Sequence, residues 1–136
     1  MTNIDIEATV NANVKKVWDY YNSPEHITQW NQADPSWHCP SATNDLRVGG
    51  KLQSRMEAKD GSFGFDFEGT YDAVDEFKHI DYTIADGRKV SISFEDQGDS
   101  TNVAVTFEAE DTNPIEMQKG GWQSILDSFK SYTESN

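Results

Sequence analysis

The C-terminal stretch 113–136, NPIEMQKGGWQSILDSFKSYTESN, does most to decide the fold of this chain. Asn113 offers a capping side chain, Pro114 suits the first helical turn, and the acidic Glu116 follows three residues after the cap. The residues of one helical face then follow one another at spacings of three and four. They are Ile115, Gln118, Trp122, Ile125, Leu126, Phe129 and Tyr132. The pattern predicts an amphipathic helix of roughly 20 residues, about 30 Å long, which is enough to cross the face of a sheet.

The pair Gly120-Gly121 lies inside this predicted helix, where each glycine costs about 1 kcal/mol relative to alanine. One interpretation is a close approach to a strand, or a kink beside a pocket. The other is that residues 114–119 form a separate short turn and the main helix begins near Gly121. The sequence favours neither.

The N-terminal part predicts one strand followed by two short helices. Alternation of apolar and polar residues is typical of a half-buried strand, with Ile4, Ile6, Ala8 and Val10 on its apolar side. Asn13 is the expected cap of the first helix, which places Val14, Val17, Trp18 and Tyr21 at helical spacing. Ser23 with Pro24 begins the second helix, whose apolar face carries Ile27 and Trp30.

The middle of the chain predicts six strands. Alternating segments follow one another around 52–56, 63–67, 80–84, 90–94 and 103–107, and Asp60-Gly61, Asp86-Gly87 and Gly98-Asp99 mark hairpin turns between them. Residues 34–45 are predicted irregular, with a short strand at 37–39. Gly49-Gly50 indicates a turn or a tight backbone approach, and Gly69 a bend or bulge. Successive hairpins predict an antiparallel meander, so we expect a single α+β domain over residues 1–136.

Composition excludes several classes of function. The 11 basic and 24 acidic residues give a net charge of −13, which repels nucleic-acid phosphates and anionic lipid headgroups. We therefore expect no nucleic-acid partner. The N-terminus lacks a secretory signal and no window approaches the ~20 apolar residues of a membrane span, so no membrane insertion is expected either. With one cysteine, Cys39, no internal disulfide can form. These features favour a cytoplasmic protein.

Several stretches together resemble a known family. The order of predicted elements is similar to the helix-grip fold of the START/Bet v 1 superfamily, and particular motifs resemble the branch similar to the C-terminal domain of the heat-shock protein 90 ATPase activator. The resemblance covers essentially the whole chain. Its motifs are Val17-Trp18, Ser23-Pro24-Glu25 with Trp30, Asp45 to Gly50, Asp60-Gly61-Ser62, Gly69-Thr70-Tyr71, Asp86-Gly87-Arg88 and Gly120-Gly121-Trp122-Gln123.

The resemblance implies a fold and a choice of functions. It implies a curved sheet of about seven strands around the long helix, with a cavity between them. Many small relatives resemble single-domain binders of apolar molecules, and a few members of the superfamily are cyclases or hydrolases. Co-chaperones of the named type carry a further N-terminal domain that grips the chaperone. This chain begins directly on its first predicted strand, which argues against the chaperone as a partner.

A cavity of this kind would be lined by aromatic side chains with a few polar groups. The alternative is that the same rings form an ordinary packed core. His38 is the candidate polar group or general base, and Tyr71 and Tyr82 are the other titratable candidates. The predicted ligand-binding residues are Trp30, Trp37, His38, Met56, Phe63, Phe65, Phe67, Tyr71, Tyr82, Phe94, Trp122 and Phe129.

No pattern in the sequence predicts a metal, a cofactor or a catalytic residue. His38 and Cys39 are adjacent, so on a strand they point to opposite faces and would not share a ligand set. His26 and His79 are isolated, and no catalytic triad, nucleophile elbow or phosphate loop is visible. We therefore predict a binding or carrier domain for a small hydrophobic or aromatic ligand. An enzyme acting on a hydrophobic molecule and a co-chaperone-like interaction module are the alternatives.

Two sets of charged residues are expected to have structural roles. Asp45 and Arg47 would share a face if extended, and we favour an ion pair beside the Gly49-Gly50 turn over a polar group at the mouth of a pocket. The carboxylate pairs Asp66 with Glu68 and Glu108 with Glu110 fall on the polar faces of their strands, which favours solvated surface over acid–base chemistry.

Overall fold

A computed structural model describes residues 2–136 as a curled antiparallel sheet, a long C-terminal helix and two short helices. This is the predicted α+β helix-grip architecture. The elements, in chain order, are β1 Asn3–Val10, α1 Val14–Asn22, α2 Pro24–Trp30, β2 Trp37–Asn44, β3 Lys51–Ala58, β4 Gly64–Asp75, β5 His79–Ile84, β6 Lys89–Asp96, β7 Thr101–Glu108 and α3 Ile115–Ser135.

The seven strands form one sheet in the order β1-β7-β6-β5-β4-β3-β2. Strands β2 to β7 are a meander, in which each pairs antiparallel with the next. The first strand instead pairs with the last, from Asn3 opposite Glu108 to Val10 opposite Thr101. Because β1 and β2 are at opposite edges, α1 and α2 must carry the chain across the open side of the sheet.

Period-two alternation places the core on the inner face. Strands β5, β6 and β7 bury every second residue, including Ile80, Val90, Ile92, Val103 and Phe107, each at most 1% exposed. Burying such a side chain contributes about 1.5–3 kcal/mol, so this face must be covered. The helices cover it, and α3 packs closest to β1.

The short helices begin as the sequence predicts. The Asn13 side chain accepts a hydrogen bond from the Lys16 backbone N–H at 3.0 Å and so caps α1. Ser23 occupies the capping position of α2, and Pro24 is the first residue of that helix. Its hydroxyl does not bond to the helix it begins and donates instead to Asp19 Oδ1 of α1 at 2.9 Å. Ser23 therefore joins the two helices.

The long helix is confirmed, but its predicted cap is wrong. Pro114 occupies the capping position and Asn113 caps nothing with its side chain. Buried Gln118 orders this end: its side-chain amide donates to the carbonyls of Glu110 and Asn113 and accepts from the Glu110 backbone N–H. These hydrogen bonds take the place of a capping box, although Gln118 itself lies within the helix. Ile115, predicted on the apolar face, is 40% exposed.

The two glycines of α3 mark neither a separate turn nor a close approach to a strand. The helix runs unbroken from Ile115 to Ser135, so there is no separate turn before Gly121. A Cβ at Gly120 or Gly121 would meet nothing within 4 Å, so no strand approaches them closely.

Strand β2 extends further than predicted. It continues past Pro40 to Asn44, in a segment expected to be irregular, and its register with β3 shifts between His38 and Ser41. Proline lacks an N–H and is tolerated at an edge or a bulge, and β2 provides both. A bulge also falls in β4, between Tyr71 and Ala73, rather than at Gly69.

Two glycines are required by close contacts. A Cβ at Gly50 would lie 2.1 Å from the Asp45 carbonyl oxygen, which confirms the predicted tight backbone approach. The Gly49 and Gly50 backbones also pair with Tyr71 of β4 at 2.9 Å. A Cβ at Gly69 would lie 2.9 Å from Tyr82 Cδ2, so the Tyr82 ring rests directly on this glycine. The predicted hairpin glycines Gly61, Gly87 and Gly98 all have positive φ.

These contacts predict opposite effects of alanine at two glycines. Gly50→Ala should lower the free energy of unfolding by about 2 kcal/mol, because the new methyl group overlaps a backbone carbonyl. Gly120→Ala should raise it by about 0.5–1 kcal/mol, because the site is helical and open. Urea denaturation measures both. A Gly50→Ala protein as stable as the wild type would contradict the packing described.

Candidate functional site

A cavity of about 310 Å³ lies between the inner face of the sheet and the helices. This is at the small end of the range for ligand sites, which is roughly 300–1,000 Å³. Its walls are mostly apolar and aromatic. The lining residues are Ile6, Tyr21, Asn22, Ile27, Trp30, Asn31, Thr43, Asn44, Leu52, Ser54, Met56, Phe65, Phe67, Tyr71, Ile80, Tyr82, Arg88, Ile92, Val105, Trp122, Ile125 and Leu126.

The structure brings seven of the predicted residues together around this cavity: Trp30, Met56, Phe65, Phe67, Tyr71, Tyr82 and Trp122. The strand residues among them share the inner face because of alternation along β3, β4 and β5. The two tryptophans each lie on one face of α2 or α3. Trp122 closes one side by stacking on Phe107, with ring centres 4.0 Å apart.

Two predicted residues belong to the packed core instead. Phe129 of α3 is fully buried against Tyr21 and Trp30. Phe94 of β6 packs edge-on against Trp18 at 5.0 Å and against Tyr21 at 5.6 Å. Both rings point inward as expected, but α1 covers them, which leaves no free space beside them.

Three predicted residues lie outside the cavity. Trp37 and Phe63 are at the far end of the β3–β4 hairpin, where Phe63 is 61% exposed. His38 is beside Glu57, 3.9 Å from its carboxylate, on the face opposite the buried Cys39. The structure therefore corrects the placement of all three. Trp37 and Phe63 lie beyond the end of the cavity, which alternation along a strand does not reveal, and His38 is on the face of β2 opposite the buried Cys39.

Residues that the sequence did not single out supply much of the polar lining. Tyr21 was expected on the apolar face of α1 but not in a cavity. Asn44 ends the part of β2 that was predicted irregular. Arg88 belongs to the Asp86-Gly87-Arg88 turn, which was used only as a family motif. The sequence signal that could have indicated one of these residues is the position of Tyr21, three residues after Trp18 on the same face of a predicted helix.

An asparagine network occupies one wall. The Tyr71 hydroxyl donates to Asn44 Oδ1 at 2.5 Å, and Asn44 Nδ2 donates to the Asn22 carbonyl at 2.7 Å. The Asn22 side chain in turn donates to the Trp18 carbonyl at 2.8 Å. These bonds fasten the edge of the sheet to the end of α1. They also engage both the nitrogen and the oxygen of the Asn44 amide with protein groups.

Three tyrosines keep their protons because of burial. Desolvation raises the pKa of Tyr21, Tyr71 and Tyr82 well above the ordinary value, and their mutual proximity adds to this for Tyr21 and Tyr82. The hydrogen bond between Tyr71 and Asn44 opposes the rise at Tyr71 but does not cancel it. Near neutral pH these hydroxyls are therefore hydrogen-bond donors and not bases.

One cavity-lining ring, Phe65, is also 42% exposed. It lies 6.2 Å from Trp37 and 6.1 Å from Phe63, and we call these three residues the aromatic rim. The rim is a small, partly exposed apolar patch next to the cavity.

The histidines are held by structural contacts. His26 Nδ1 and the Tyr132 hydroxyl are 2.7 Å apart, and its ring stacks on Tyr20 at 3.9 Å. His79 lies between Asp81 and Ser93 on neighbouring strands. Within residues 2–136, no group of three or more His, Cys, Asp or Glu side chains could hold a metal ion. No helix in the same range is long and apolar enough to cross a membrane.

The ion pair predicted for Asp45 and Arg47 is present, whereas Asp66, Glu108 and Glu110, predicted to be solvated surface, also have protein partners. Asp45 and Arg47 form an ion pair of 2.9 Å outside the cavity. Asp66 contacts Arg55 at 3.4 Å, and the Glu108 carboxylate accepts from the Lys89 backbone N–H. The Glu110 carboxylate accepts from the backbone N–H of Asn113.

The fold and the cavity define a helix-grip binding domain, and comparison with known proteins identifies its family. Residues 11–134 match the family model described as activator of Hsp90 ATPase homolog 1-like protein. The chain belongs to this family and, through it, to the Bet v 1-like superfamily, as the sequence motifs predicted. No curated protein is significantly similar to it.

Solved structures agree with this assignment. An AHSA1-like protein from Aeromonas hydrophila is 40% identical, with 98% of this chain and 93% of that one covered and a TM-score of 0.92. A protein from Cytophaga hutchinsonii is 55% identical, with the same coverage and a TM-score of 0.84. A protein from Chromobacterium violaceum, 20% identical over the whole of both chains with a TM-score of 0.88, shares the fold.

The buried tyrosines predict a distinctive response to alkali. Unfolded tyrosine ionises near pH 10, whereas Tyr21, Tyr71 and Tyr82 have raised pKa values when folded. The folded state therefore binds more protons than the unfolded state above about pH 10, and stability must fall as the pH rises from there. Absorbance of the phenolate, followed together with circular dichroism, should show at least three of the five tyrosines ionising late or only on unfolding.

Tyr82→Phe is the control, because it should remove one of the delayed ionisations. Ionisation of all five tyrosines together near pH 10, with the fold intact, would contradict the burial described.

Proposed function

We propose that the protein binds, and thereby carries, a small hydrophobic or aromatic molecule in the cavity. The observation that carries the proposal is the space itself: aromatic residues on two strands and three helices enclose about 310 Å³ and do not fill it. Well-packed interiors leave few voids larger than a water molecule. A cavity of this size, with a few polar groups, is the usual form of a small-molecule site.

The polar lining suits recognition better than catalysis. A general base must be deprotonated when it acts, and burial keeps the protons on Tyr71 and Tyr82. His38, the other candidate, lies away from the cavity beside Glu57. The remaining amides bond largely to the protein backbone. These groups are placed to orient a ligand, which supports the carrier over the enzyme.

A matched pair of tryptophan substitutions tests the cavity. Leu52 and Gln53 are neighbours on β3, but only Leu52 lines the cavity and Gln53 is exposed. Leu52→Trp should fill the space and weaken binding of a fluorescent naphthalene probe by at least about tenfold, or 1.4 kcal/mol. Gln53→Trp should leave the affinity unchanged. Native mass spectrometry against a library of flavonoids and lipids extends the test to unlabelled compounds.

The two outcomes that count against binding are distinct. If neither the probe nor any library compound binds the wild type, the carrier proposal is wrong. If Leu52→Trp binds the probe as well as Gln53→Trp does, binding takes place elsewhere on the protein. Thermal unfolding of each variant verifies that the fold is retained.

The aromatic rim favours a second candidate function, a co-chaperone-like interaction with heat-shock protein 90. Exposed aromatic clusters often mark protein interfaces, and the family is named after an activator of this ATPase. A pull-down with the middle domain of the chaperone should then retain the wild type and lose Phe63→Ser, because Phe63 is exposed outside the cavity. Equal absence of retention for both proteins would exclude this candidate.

A further inference from the structure

We propose that the ligand of this cavity carries a carboxylate, which binds the guanidinium of Arg88. This deepens the proposed function and rests on it. Of the cavity-lining residues in the described range 2–136, Arg88 is the only one with a formally charged side chain. A chain with a net charge of −13 and only 11 basic residues has placed one of its few cations against an apolar space.

The position of Arg88 leaves donors available. Its Nε donates to Asp86 Oδ2 at 2.8 Å and its Nη1 to the Glu108 carbonyl at 3.3 Å. A guanidinium has five N–H donors, so these bonds leave three without a protein acceptor among residues 2–136. Arginine matches carboxylates because two parallel N–H groups can reach both oxygens.

Arg88 and its partner differ in their access to water. The Arg88 side chain is 16% exposed and the Asp86 side chain 52% exposed. Solvent screens the carboxylate more than the cation. The hydrogen bonds and charge of Arg88 hold the pKa of Asp86 below its ordinary value although partial burial opposes this, so Asp86 stays ionised. The ion pair anchors the guanidinium at the β5–β6 turn without using its remaining N–H groups.

The neighbouring polar groups also favour an acceptor on the ligand. Tyr82 is close enough for the positive charge of Arg88 to act on its hydroxyl. Within residues 2–136, neither the Tyr21 nor the Tyr82 hydroxyl donates to a protein group, whereas Tyr71 is engaged with Asn44. No aspartate or glutamate lines the cavity in this range. An anionic acceptor on the ligand would therefore find N–H and O–H donors and no carboxylate to repel it, whereas Arg88 would repel a cationic ligand.

A simpler interpretation is that Arg88 only fastens the β5–β6 turn through Asp86 and Glu108. The two interpretations differ in ligand selectivity, because a turn anchor has no preference among ligands of equal shape. Three probes with the same ring make the comparison: 2-naphthylacetate, 2-naphthylethanol and 2-naphthylethylammonium. Their fluorescence permits titration of the full chain.

The wild type should bind the carboxylate at least about tenfold more tightly than the alcohol, and the ammonium weakest. Arg88→Gln should bring the carboxylate-to-alcohol affinity ratio close to one while leaving the affinity for the alcohol within about twofold. Arg88→Lys, which keeps the charge but not the paired donors, should give an intermediate ratio. Arg47→Gln is the matched control, since Arg47 forms a similar ion pair outside the cavity.

Failure of the inference and failure of the proposed function look different. If the three probes bind the wild type equally, or if Arg88→Gln keeps the wild-type ratio, the protein is a carrier without a carboxylate site. If none of the three probes binds, this inference fails, and the carrier function fails with it when no compound of the flavonoid and lipid library binds either. The comparison of probes on the wild type remains decisive even if Arg88→Gln does not fold.

Discussion

The long helix α3, with only two short helices beside it, has to cover the apolar face of a seven-stranded sheet, and the rest of the structure depends on how it does so. Strands about 4.8 Å apart would make a flat sheet of this kind roughly 29 Å wide, whereas a helix with its side chains is only about 10–12 Å across. The sheet therefore curls around α3. Because α3 packs closest to β1, the inner faces of β3, β4 and β5 are left without a helix directly upon them.

The cavity is the consequence of this asymmetric packing. On the side of α1, rings such as Phe94 and Phe129 interlock with Tyr21 and become ordinary core. On the other side, Met56, Phe67 and Tyr82 face an open space that Trp122 bridges only in part, at 6.1 Å from Phe67. The same kinds of residue thus form a core at one end and the wall of a site at the other.

The charges that line the cavity differ from those of the rest of the chain. The sequence is strongly acidic, yet no carboxylate lines the cavity within residues 2–136, and its single charged lining residue in that range is Arg88. Buried tyrosines remain protonated and add neutral donors. Under the proposed function, an apolar body would be buried against the aromatic walls and a polar acceptor group would set its orientation. Membership of the activator of Hsp90 ATPase homolog 1-like family fixes the fold on which this site is built, but not the ligand.

The sequence by itself determined most of the elements, because their signals are local. Alternation, the positive-φ glycines of three hairpins and the helical repeat of α3 each act within a few residues and are confirmed. The exceptions are β2, which runs on to Asn44 through a segment predicted irregular, and Ile115, which is exposed. Only the tertiary structure decided the membership of the site. Tyr21, Asn44 and Arg88 come from a helix, an edge strand and a hairpin, and they meet only because the sheet curls. Local patterns could not reveal that the cavity ends before Trp37 and Phe63, since curvature is set by packing between distant elements.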